Sequence, residues 1–98
     1  MSMAEELGVQ PVVVAAACRV GDVMVVSARH FDLLMHQQIK QLGMTKDFRT
    51  KAEQGFIDQF GEFLDRFEAL EVAKAAGQLN VRRPKTFPQD RLFSEDIY

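Results

Sequence analysis

The sequence offers few side chains of the types that catalyse reactions or bind metals. His30 and His36 are six residues apart, so a helix would place them on different faces, which disfavours a shared metal site. Cys18 ends an apolar run, a position typical of a small core residue rather than a nucleophile. Asp58 and Asp65 could form a carboxylate pair, but a turn and a helix cap account for both. We therefore expect neither catalysis nor a cofactor.

Arginine is the residue type that most suggests ligand recognition, since seven of the twelve cationic residues are arginines. A guanidinium group binds phosphate in a fixed, forked geometry. Arg29 and Arg66 each begin a predicted helix, where a cation is unfavourable for the helix dipole and where backbone amides attract anions. The pattern indicates a bound anion near both residues. The alternative is an ion pair with the nearby Asp32 or Asp65.

A second pair of arginines, Arg82 and Arg83, lies in a proline-rich segment that favours an extended path. They could contact phosphate groups on a neighbouring subunit, or they could form a solvated basic loop. Phenylalanines are concentrated in the same half of the chain, and most must be core residues. Phe56 alternates with Ile57 in a predicted strand, so at most one of the two faces the main core. An accessible phenyl ring can stack on a base, and together with arginines it would suit a small nucleotide.

Composition excludes several classes of protein. The net charge of -2 disfavours a binder of long nucleic acid, because non-specific binding of that kind needs a basic surface. One cysteine allows no intrachain disulfide, which favours a cytoplasmic protein. The apolar run at 12–18 is too short to cross a bilayer, and the N-terminus lacks the basic start of a secretory signal. At 98 residues the chain, 1–98, is expected to be a single domain that gains stability by forming a homo-oligomer.

The elements that must position these residues begin with a predicted antiparallel hairpin. Residues 1–10 are expected to be flexible or to form an arm donated to a neighbour. A β-branched run at 12–18 predicts a buried strand, and 23–26 a second strand, with Gly21 in the turn between them. The alanines at 15–17 allow a helix as the alternative, but the flanking valines favour the strand.

A first helix is predicted to follow, with Ser27 as its N-cap and Gly43 just beyond its end. Apolar residues recur at helical spacing along one face: Phe31, Leu34, Met35, Ile39 and Leu42. The polar residues 44–51 are expected to form a connector without regular structure.

The second half predicts another hairpin and another helix. Strands are expected at 54–58 and 62–64, with Gly61 in a left-handed conformation in the turn. Asp65 and Glu68 have the spacing of a capping box at the start of a helix that Gly77 ends. Small residues form the face of this helix that packs on the sheet: Ala69, Val72, Ala73 and Ala76.

Residues 79–98 are expected to form an extended C-terminal arm that docks either on the body or on a partner. The predicted order is β-β-α-β-β-α. It indicates a small α+β domain with an antiparallel sheet of two hairpins and two helices on one face of the sheet.

Several short motifs occur together in one order along residues 12–98. They are Arg29-His30 after the N-terminal hairpin, Gln54-Gly55-Phe56, Gly61-x-Phe63-Leu64-Asp65-Arg66-x-Glu68-Ala69, Ala73-x-Ala75-Ala76-Gly77-Gln78 and Leu92-Phe93-Ser94-Glu95-Asp96-Ile97-Tyr98. In sequence and spacing they resemble the bacteriophage anti-Thoeris proteins of the first type. Members of that family bind glycocyclic ADP-ribose signals of the infected bacterium without cleaving them, and some also bind cyclic oligonucleotides at separate sites of a hexamer.

The resemblance implies a function and a set of ligand-binding residues. It implies an oligomeric sponge, a dimer or hexamer, for a cyclic ADP-ribose-type or cyclic oligonucleotide signal in the cytoplasm of the infected host. By position, Phe56 corresponds to the ring that stacks on adenine. Arg29, Arg82 and Arg83 correspond to phosphate or ribose contacts, and Arg66 or Asp65 to a polar pocket residue. Asp58 and Asp65 stand where the family often has Asn or Thr.

The sequence is also compatible with two other functions. A phage protein that binds a host protein could use Phe60 and the C-terminal tail as its interaction surface. A nucleotide-processing enzyme is the third possibility, and it is disfavoured because no general base is evident next to a nucleophile in the sequence.

Overall fold

Two hairpins with glycine turns form the predicted sheet in the computed structural model, which describes residues 6–79, 85 and 88–97. The strands are β1 (Val13–Val20), β2 (Val23–Ser27), β3 (Glu53–Asp58) and β4 (Phe63–Asp65). The helices are α1 (Leu33–Gln41), α2 (Thr45–Lys51) and α3 (Arg66–Ala75), with a 3₁₀ turn at Ser94–Asp96. The order β-β-α-α-β-β-α confirms the α+β class and adds one helix to the prediction. Arg82, Arg83 and much of the predicted arm lie outside the described residues.

The sheet is antiparallel throughout, in the order β2-β1-β3-β4. Both predicted hairpins are confirmed, and β1 joins them by pairing with β3, with a bulge between Val13 and Ala15. The strand over the predicted 12–18 segment extends to Val20, so the helical alternative for the alanines is wrong. Gly21 and Gly61 have φ values of 56° and 79°, as the turns require.

Helices α1, α2 and α3 pack on the same face of the sheet. Ala16 and Cys18 are two residues apart in β1, so their side chains point to the same face. Ala16 belongs to a buried cluster beneath α3, the α3 cluster: Val13, Ala16, Phe56, Ala69, Leu70, Ala73 and Leu92. Cys18 belongs to a second cluster beneath the other helices, the α1–α2 cluster: Cys18, Val25, Met35, Ile39 and Phe48. Burial raises the pKa of Cys18 to about 11, which suits the predicted core role.

The start of α1 differs from the prediction. Asp32, not Ser27, is the N-cap, and its carboxylate accepts a hydrogen bond from the Met35 amide at 2.9 Å. The Ser27 hydroxyl donates to the same carboxylate at 2.6 Å, so Ser27 supports the cap instead of forming it. This hydrogen bond, followed by that of Met35, lowers the pKa of Asp32. Arg29 therefore precedes the helix by several residues, which removes the predicted conflict with the helix dipole.

The predicted apolar face of α1 is only half correct. Met35 and Ile39 are buried, whereas Leu34 and Leu42 are 55% and 50% exposed. Phe31 lies before the helix with a φ of 55°. Because the helix begins later than predicted, Phe31 does not take part in its periodicity and its ring is positioned by the preceding bend.

The predicted connector at 44–51 is wrong, because Thr45–Lys51 forms α2. A single apolar side chain, Phe48, anchors this helix and is 2% exposed. Asp47 and Lys51 form an i,i+4 ion pair on the outer side at 3.6 Å. One buried residue in seven produces no visible periodicity, so the polar composition masked a helix.

The predicted capping of α3 is confirmed. The Asp65 carboxylate accepts hydrogen bonds from the Phe67 and Glu68 amides at 2.9 and 2.8 Å, and the Glu68 carboxylate accepts one from the Asp65 amide at 3.1 Å. Gly77 follows the helix with a φ of 68°. The next residue, Gln78, bonds the Val13 amide and carbonyl at 2.8 and 2.7 Å, which ties the end of α3 to the start of β1.

The C-terminal residues 88–97 dock on the body, one of the two outcomes that the sequence left open. Leu92 is buried in the α3 cluster, and its amide donates to the Arg66 carbonyl at 2.9 Å. Lys85 and Asp96 form an ion pair at 2.8 Å, with their side chains 17% and 1% exposed. Among the described residues, no helix is both long enough and apolar enough to cross a membrane.

Candidate functional site

A cleft of about 280 Å³ opens where three distant segments of the chain meet. The bend after β2, the start of β3 with the start of α3, and the docked C-terminal segment each contribute to its wall. We call it the arginine cleft, because Arg29 and Arg66 both line it. The full set of lining residues is Arg29, His30, Phe31, Gln54, Arg66, Phe93, Ser94 and Glu95. The structure thus brings together Arg29 and Arg66, which the sequence singled out separately.

Arg66 is held in the cleft from two sides. Its Nη1 donates to the Leu92 carbonyl at 2.7 Å and its Nη2 to Oε1 of Gln54 at 2.8 Å. Its guanidinium carbon lies 4.8 Å from the centre of the Phe93 ring and 5.9 Å from that of Phe56. Burial lowers the pKa of Arg66. A guanidinium has five N–H donors, so a group fixed by these two bonds can still donate to an anion in the cleft.

His30 joins the C-terminal segment to the sheet. Its Nε2 lies 2.6 Å from the Gly55 carbonyl, an acceptor only, so this nitrogen carries the proton. Its Nδ1 then accepts from the Ser94 hydroxyl at 3.0 Å. The imidazole meets the Phe56 ring edge-on, with centroids 5.0 Å apart. Burial lowers the pKa of His30, outweighing the Gly55 hydrogen bond, so the ring is neutral at pH 7.

Phe31 forms another wall of the arginine cleft, and its backbone has an unusual conformation. A φ of 55° is in the left-handed region, which a bulky residue rarely adopts and which costs of order 1–3 kcal/mol. The Phe31 amide faces the Met35 sulfur at 3.2 Å, and its ring is 5.9 Å from that of His36. These contacts fix the ring between the cleft and the α1–α2 cluster.

Phe93 is the second aromatic residue of the cleft. Two cations approach its ring, Arg66 at 4.8 Å and Lys85 at 5.3 Å from the centroid. The exposed Glu95 adds one carboxylate to the wall. Two guanidinium groups against one carboxylate leave the side chains of the cleft with an excess of positive charge, which favours an anionic ligand.

The remaining predicted site residues lie elsewhere. Phe56 is fully buried beneath the cleft, where it supports His30 and Arg66, so its ring presents no face to a ligand in this structure. The Asp65 carboxylate serves as the cap of α3 and is not among the lining residues. Arg82 and Arg83 lie outside the described residues, and their predicted roles stay predictions.

Sequence reasoning did not assign six of the eight lining residues to a site: His30, Phe31, Gln54, Phe93, Ser94 and Glu95. It treated the histidine as a metal ligand to be dismissed and the C-terminal motif as a docking tail. Neither the left-handed Phe31 nor the pairing of His30 with Ser94 leaves a local sequence signal, because both depend on packing between distant segments. The structure also places Nδ1 of His30 3.0 Å from the Ser94 hydroxyl, a contact that the sequence did not indicate.

The model of the protein family described as Phage T4 y16D protein matches residues 12–98. The chain belongs to this phage family. No curated protein and no solved structure matches it. All eight residues that line the arginine cleft lie within the matched range, so the site belongs to the part of the chain that the Phage T4 y16D family shares.

This member of the Phage T4 y16D family has a second cleft, of about 360 Å³, beside the first. We call it the threonine cleft; it is lined by Phe31, His36, Ile39, Thr45, Phe48, Arg49, Thr50, Ala52 and Gln54. The floor of this cleft is apolar, because Ile39 and Phe48 belong to the α1–α2 cluster. The exposed Thr45, Arg49 and Thr50 from α2 supply polar groups at the rim.

Proposed function

We propose that this phage protein binds and sequesters a cyclic nucleotide immune signal of the glycocyclic ADP-ribose type, or a cyclic oligonucleotide, without cleaving it. One observation carries the proposal: Arg29, Arg66 and two phenyl rings converge on the arginine cleft. Guanidinium groups bind phosphate oxygens through paired N–H donors, and phenyl rings offer faces to a base. The cleft therefore combines the two kinds of group that a nucleotide requires.

Arg66 is suited to phosphate binding because it is already ordered. Its bonds to the Leu92 carbonyl and to Gln54 fix the plane of the guanidinium before a ligand arrives. An arginine that is free in solution loses about 2 kcal/mol of side-chain entropy on binding, and a preorganised one avoids most of that cost. Arg29, which is exposed at the mouth of the cleft, supplies the second cation.

Phe31 and Phe93 are the accessible phenyl rings of the cleft, so either of them can replace Phe56 as the aromatic contact with the base. Both line the cleft and are half-buried, whereas Phe56 has no exposed surface. A side chain that stacks on a ligand base must have an accessible face, and base stacking is worth about 1–3 kcal/mol. Phe56 contributes indirectly, by supporting His30 from below.

Binding without cleavage is supported by the state of His30. Both ring nitrogens are engaged, Nε2 by the Gly55 carbonyl and Nδ1 by the Ser94 hydroxyl. Burial lowers the pKa of His30, so it carries no spare proton for a leaving group at pH 7. A general acid needs an available proton within reach of the reacting atom, and this neutral imidazole could supply one only after it had taken the proton of Ser94.

We also propose that the protein acts as a homo-oligomer, a dimer or hexamer, in the cytoplasm of the infected host. Three leucines of α1 and its ends support this: Leu33 is 74% exposed, Leu34 55% and Leu42 50%. Exposed apolar side chains clustered on one element are typical of interaction surfaces. Light scattering during size-exclusion chromatography tests the proposal, and Leu33→Glu/Leu34→Glu should shift the mass toward that of the monomer.

A thermal-shift screen against cyclic ADP-ribose, its glycocyclic isomers and cyclic di- and trinucleotides tests the main proposal. A ligand at 100 times its dissociation constant should stabilise the fold by about 2.7 kcal/mol. Heating the complex should release the ligand with unchanged mass and chromatographic retention. A melting temperature that none of these compounds changes would rule out sequestration of such signals.

Charge removal in the cleft provides the matched comparison. Arg29→Ala should weaken binding about 10- to 100-fold, because a hydrogen bond to a charged group contributes about 1.5–3 kcal/mol. Lys40→Ala removes one exposed cation of α1 that does not line the cleft, and it should leave the affinity unchanged. Equal losses in the two variants would indicate a general charge effect, not a site.

The Ser94–His30 pair supports a second candidate, a phosphodiester-cleaving enzyme. Ser94 Oγ would form a bond to phosphorus, its proton would pass to Nδ1 of His30, and the leaving oxygen would receive that proton as its bond to phosphorus breaks. The Gly55 carbonyl would orient the imidazole. Mass spectrometry of the released nucleotide separates the candidates: a cleaved product that Ser94→Ala abolishes favours the enzyme.

The interaction of Phe60 and the tail with a host protein has less support. The C-terminal segment docks on the body through Leu92 and Asp96, and Phe60 is half-buried in its turn. If a host partner is bound, Arg29→Ala should not affect its capture, and no nucleotide should compete for it.

A further inference from the structure

We infer that the ligand occupies both clefts at once, with its phosphate groups in the arginine cleft and its base in the threonine cleft. This inference rests on the proposed function and deepens it. The threonine cleft is then a subsite that binds the base. Phe31 and Gln54 form the border between the clefts and contact the middle of the ligand.

The size of the arginine cleft is the first argument. At about 280 Å³ it falls just below the 300–1,000 Å³ that is typical of sites for drug-sized ligands. A cyclic dinucleotide or an ADP-ribose ring is larger than the phosphate and ribose alone. The adjacent cleft of about 360 Å³ supplies the missing room.

The two clefts are neighbours and not separate sites. Phe31 and Gln54 line both of them. Gln54 is exposed, and its side-chain oxygen accepts a hydrogen bond from Arg66, which holds this residue at the border between the clefts. Phe31 stands in a left-handed backbone conformation that orients its ring at this border. A residue kept in such a conformation is a common feature of ligand-binding sites.

The chemistry of the two clefts is complementary in the way that a nucleotide demands. The arginine cleft has two guanidinium groups. The threonine cleft has an apolar floor formed by Ile39 and Phe48, with the hydroxyl groups of Thr45 and Thr50 at the rim. A nucleobase has apolar faces and a polar edge of donors and acceptors. It matches the second cleft, as phosphate matches the first.

The test uses the full chain and whichever of the cyclic ADP-ribose isomers gives the largest thermal shift. Thr50→Phe places a ring at the rim of the threonine cleft. Lys51→Phe adds the same ring at the next position of α2, which does not line either cleft. Calorimetry should give at least a tenfold loss of affinity for Thr50→Phe and less than a twofold change for Lys51→Phe.

A second measurement does not depend on any variant. In the wild-type complex, nuclear Overhauser contacts should join the base protons to methyl groups of Ile39, Thr50 or Ala52. Base contacts confined to Phe93, with unchanged affinity in Thr50→Phe, would overturn the two-cleft inference while the proposed function stands. If no cyclic nucleotide binds the wild type, both are overturned.

Discussion

The two halves of the core are stabilised in different ways, although they share one face of the sheet. In the half around the α3 cluster, polar side chains join segments that are far apart in the sequence, as Gln78 joins α3 to Val13 and Arg66 joins Gln54 to Leu92. In the half around the α1–α2 cluster, the bonds are local: Ser27 and Met35 to Asp32, and Gln38 to Val26. We call these the long-range half and the local half.

The arginine cleft lies at the boundary between the long-range half and the local half. Arg66, Phe93 and Ser94 belong to the long-range half, whereas Phe31 precedes α1 in the local half. His30 crosses the boundary by contacting Gly55, Ser94 and Phe56. A segment held by local bonds can open without unfolding the whole domain, so the segment that carries Phe31 can open independently of the wall formed by Arg66, Phe93 and Ser94.

The largest loss of stability is expected from Gly55→Ala, which should disrupt the packing of the long-range half. A Cβ at this position would contact the Leu64 carbonyl oxygen and come within 2.6 Å of the Phe63 ring. The oxygen belongs to the backbone of β4, so relief requires β4 to move away from β3. We expect a loss of more than about 3 kcal/mol in the free energy of unfolding, measured by urea denaturation.

Gly61→Asn is the control for that substitution. Gly61 has a φ of 79° but no atom within 4 Å of an added Cβ, and Asn tolerates the left-handed conformation better than most residues. Gly61→Asn should therefore lower the free energy of unfolding much less than Gly55→Ala does. Similar losses for the two variants would contradict the close approach of β4 at Gly55.

A smaller loss is expected from Asp96→Asn, which weakens the docking of the C-terminal segment. Oδ2 of Asp96 accepts from Lys85 Nζ and from the Phe93 amide, both at 2.8 Å, and the carboxylate is 1% exposed. Removing one charge of a buried pair costs about 3–5 kcal/mol, and we expect the lower end because Lys85 retains some contact with water.

Asp90→Asn is the matched control, because Asp90 pairs with Arg91 at 3.0 Å on the surface. Exposed pairs of this kind contribute little. Chemical denaturation should therefore distinguish the two variants clearly. If the buried pair could be broken without loss, the burial of Leu92 and the hydrogen bonds of Arg66 and His30 would suffice to anchor the segment.

Removing the two helix N-caps compares the halves directly. Asp32→Ala should cost more than Asp65→Ala, within the range of about 0.5–2 kcal/mol that is usual for caps. Loss of the Asp32 carboxylate leaves the Ser27 hydroxyl and the Met35 amide without this acceptor, whereas Asp65 is exposed and water can replace it. Hydrogen exchange should show the effect of Asp32→Ala in α1 and not in α3. Uniform loss of protection would contradict the independence of the local half.

The same division explains which features could be predicted from the sequence. The β3–β4 hairpin and α3 were predicted because glycine turns and the Asp65–Glu68 capping box are local signals. In the local half, Ser27 was predicted as the cap of α1, but Asp32 is the cap and the Ser27 hydroxyl donates to its carboxylate. α2 was missed because its single buried residue, Phe48, gives no periodicity.

The candidate site could be predicted only in part, for a related reason. Arginine at the beginning of a predicted helix was a visible signal, and Arg29 and Arg66 do line one cleft, although Arg29 precedes its helix. The resemblance assigned the aromatic contact to Phe56, whose ring is buried in the α3 cluster; the alternation in β3 does not tell which face of the strand carries the helices. The contact of His30 with Ser94 depends on how the C-terminus docks, which no local pattern encodes.

The smallest expected effect is a pH dependence that originates at the boundary between the halves. Burial lowers the pKa of His30 below its ordinary value of 6.5, with a contribution from the nearby Arg66, while the Gly55 hydrogen bond and Glu95 oppose the shift. The unfolded chain therefore binds more protons than the folded protein as the pH falls below about 6.5, so the free energy of unfolding decreases on acidification. The loss is complete below the folded pKa.

Urea denaturation between about pH 7.5 and pH 5.5 measures this slope. His30→Gln should be less stable at neutral pH but should show a smaller decrease on acidification, because it lacks the titrating group. His36→Gln removes the other histidine, which is exposed and lies outside the arginine cleft, and is the matched control for the loss of an imidazole. If His30→Gln retains the wild-type slope, the imidazole is not buried between Gly55 and Ser94, and the two halves do not meet through this residue.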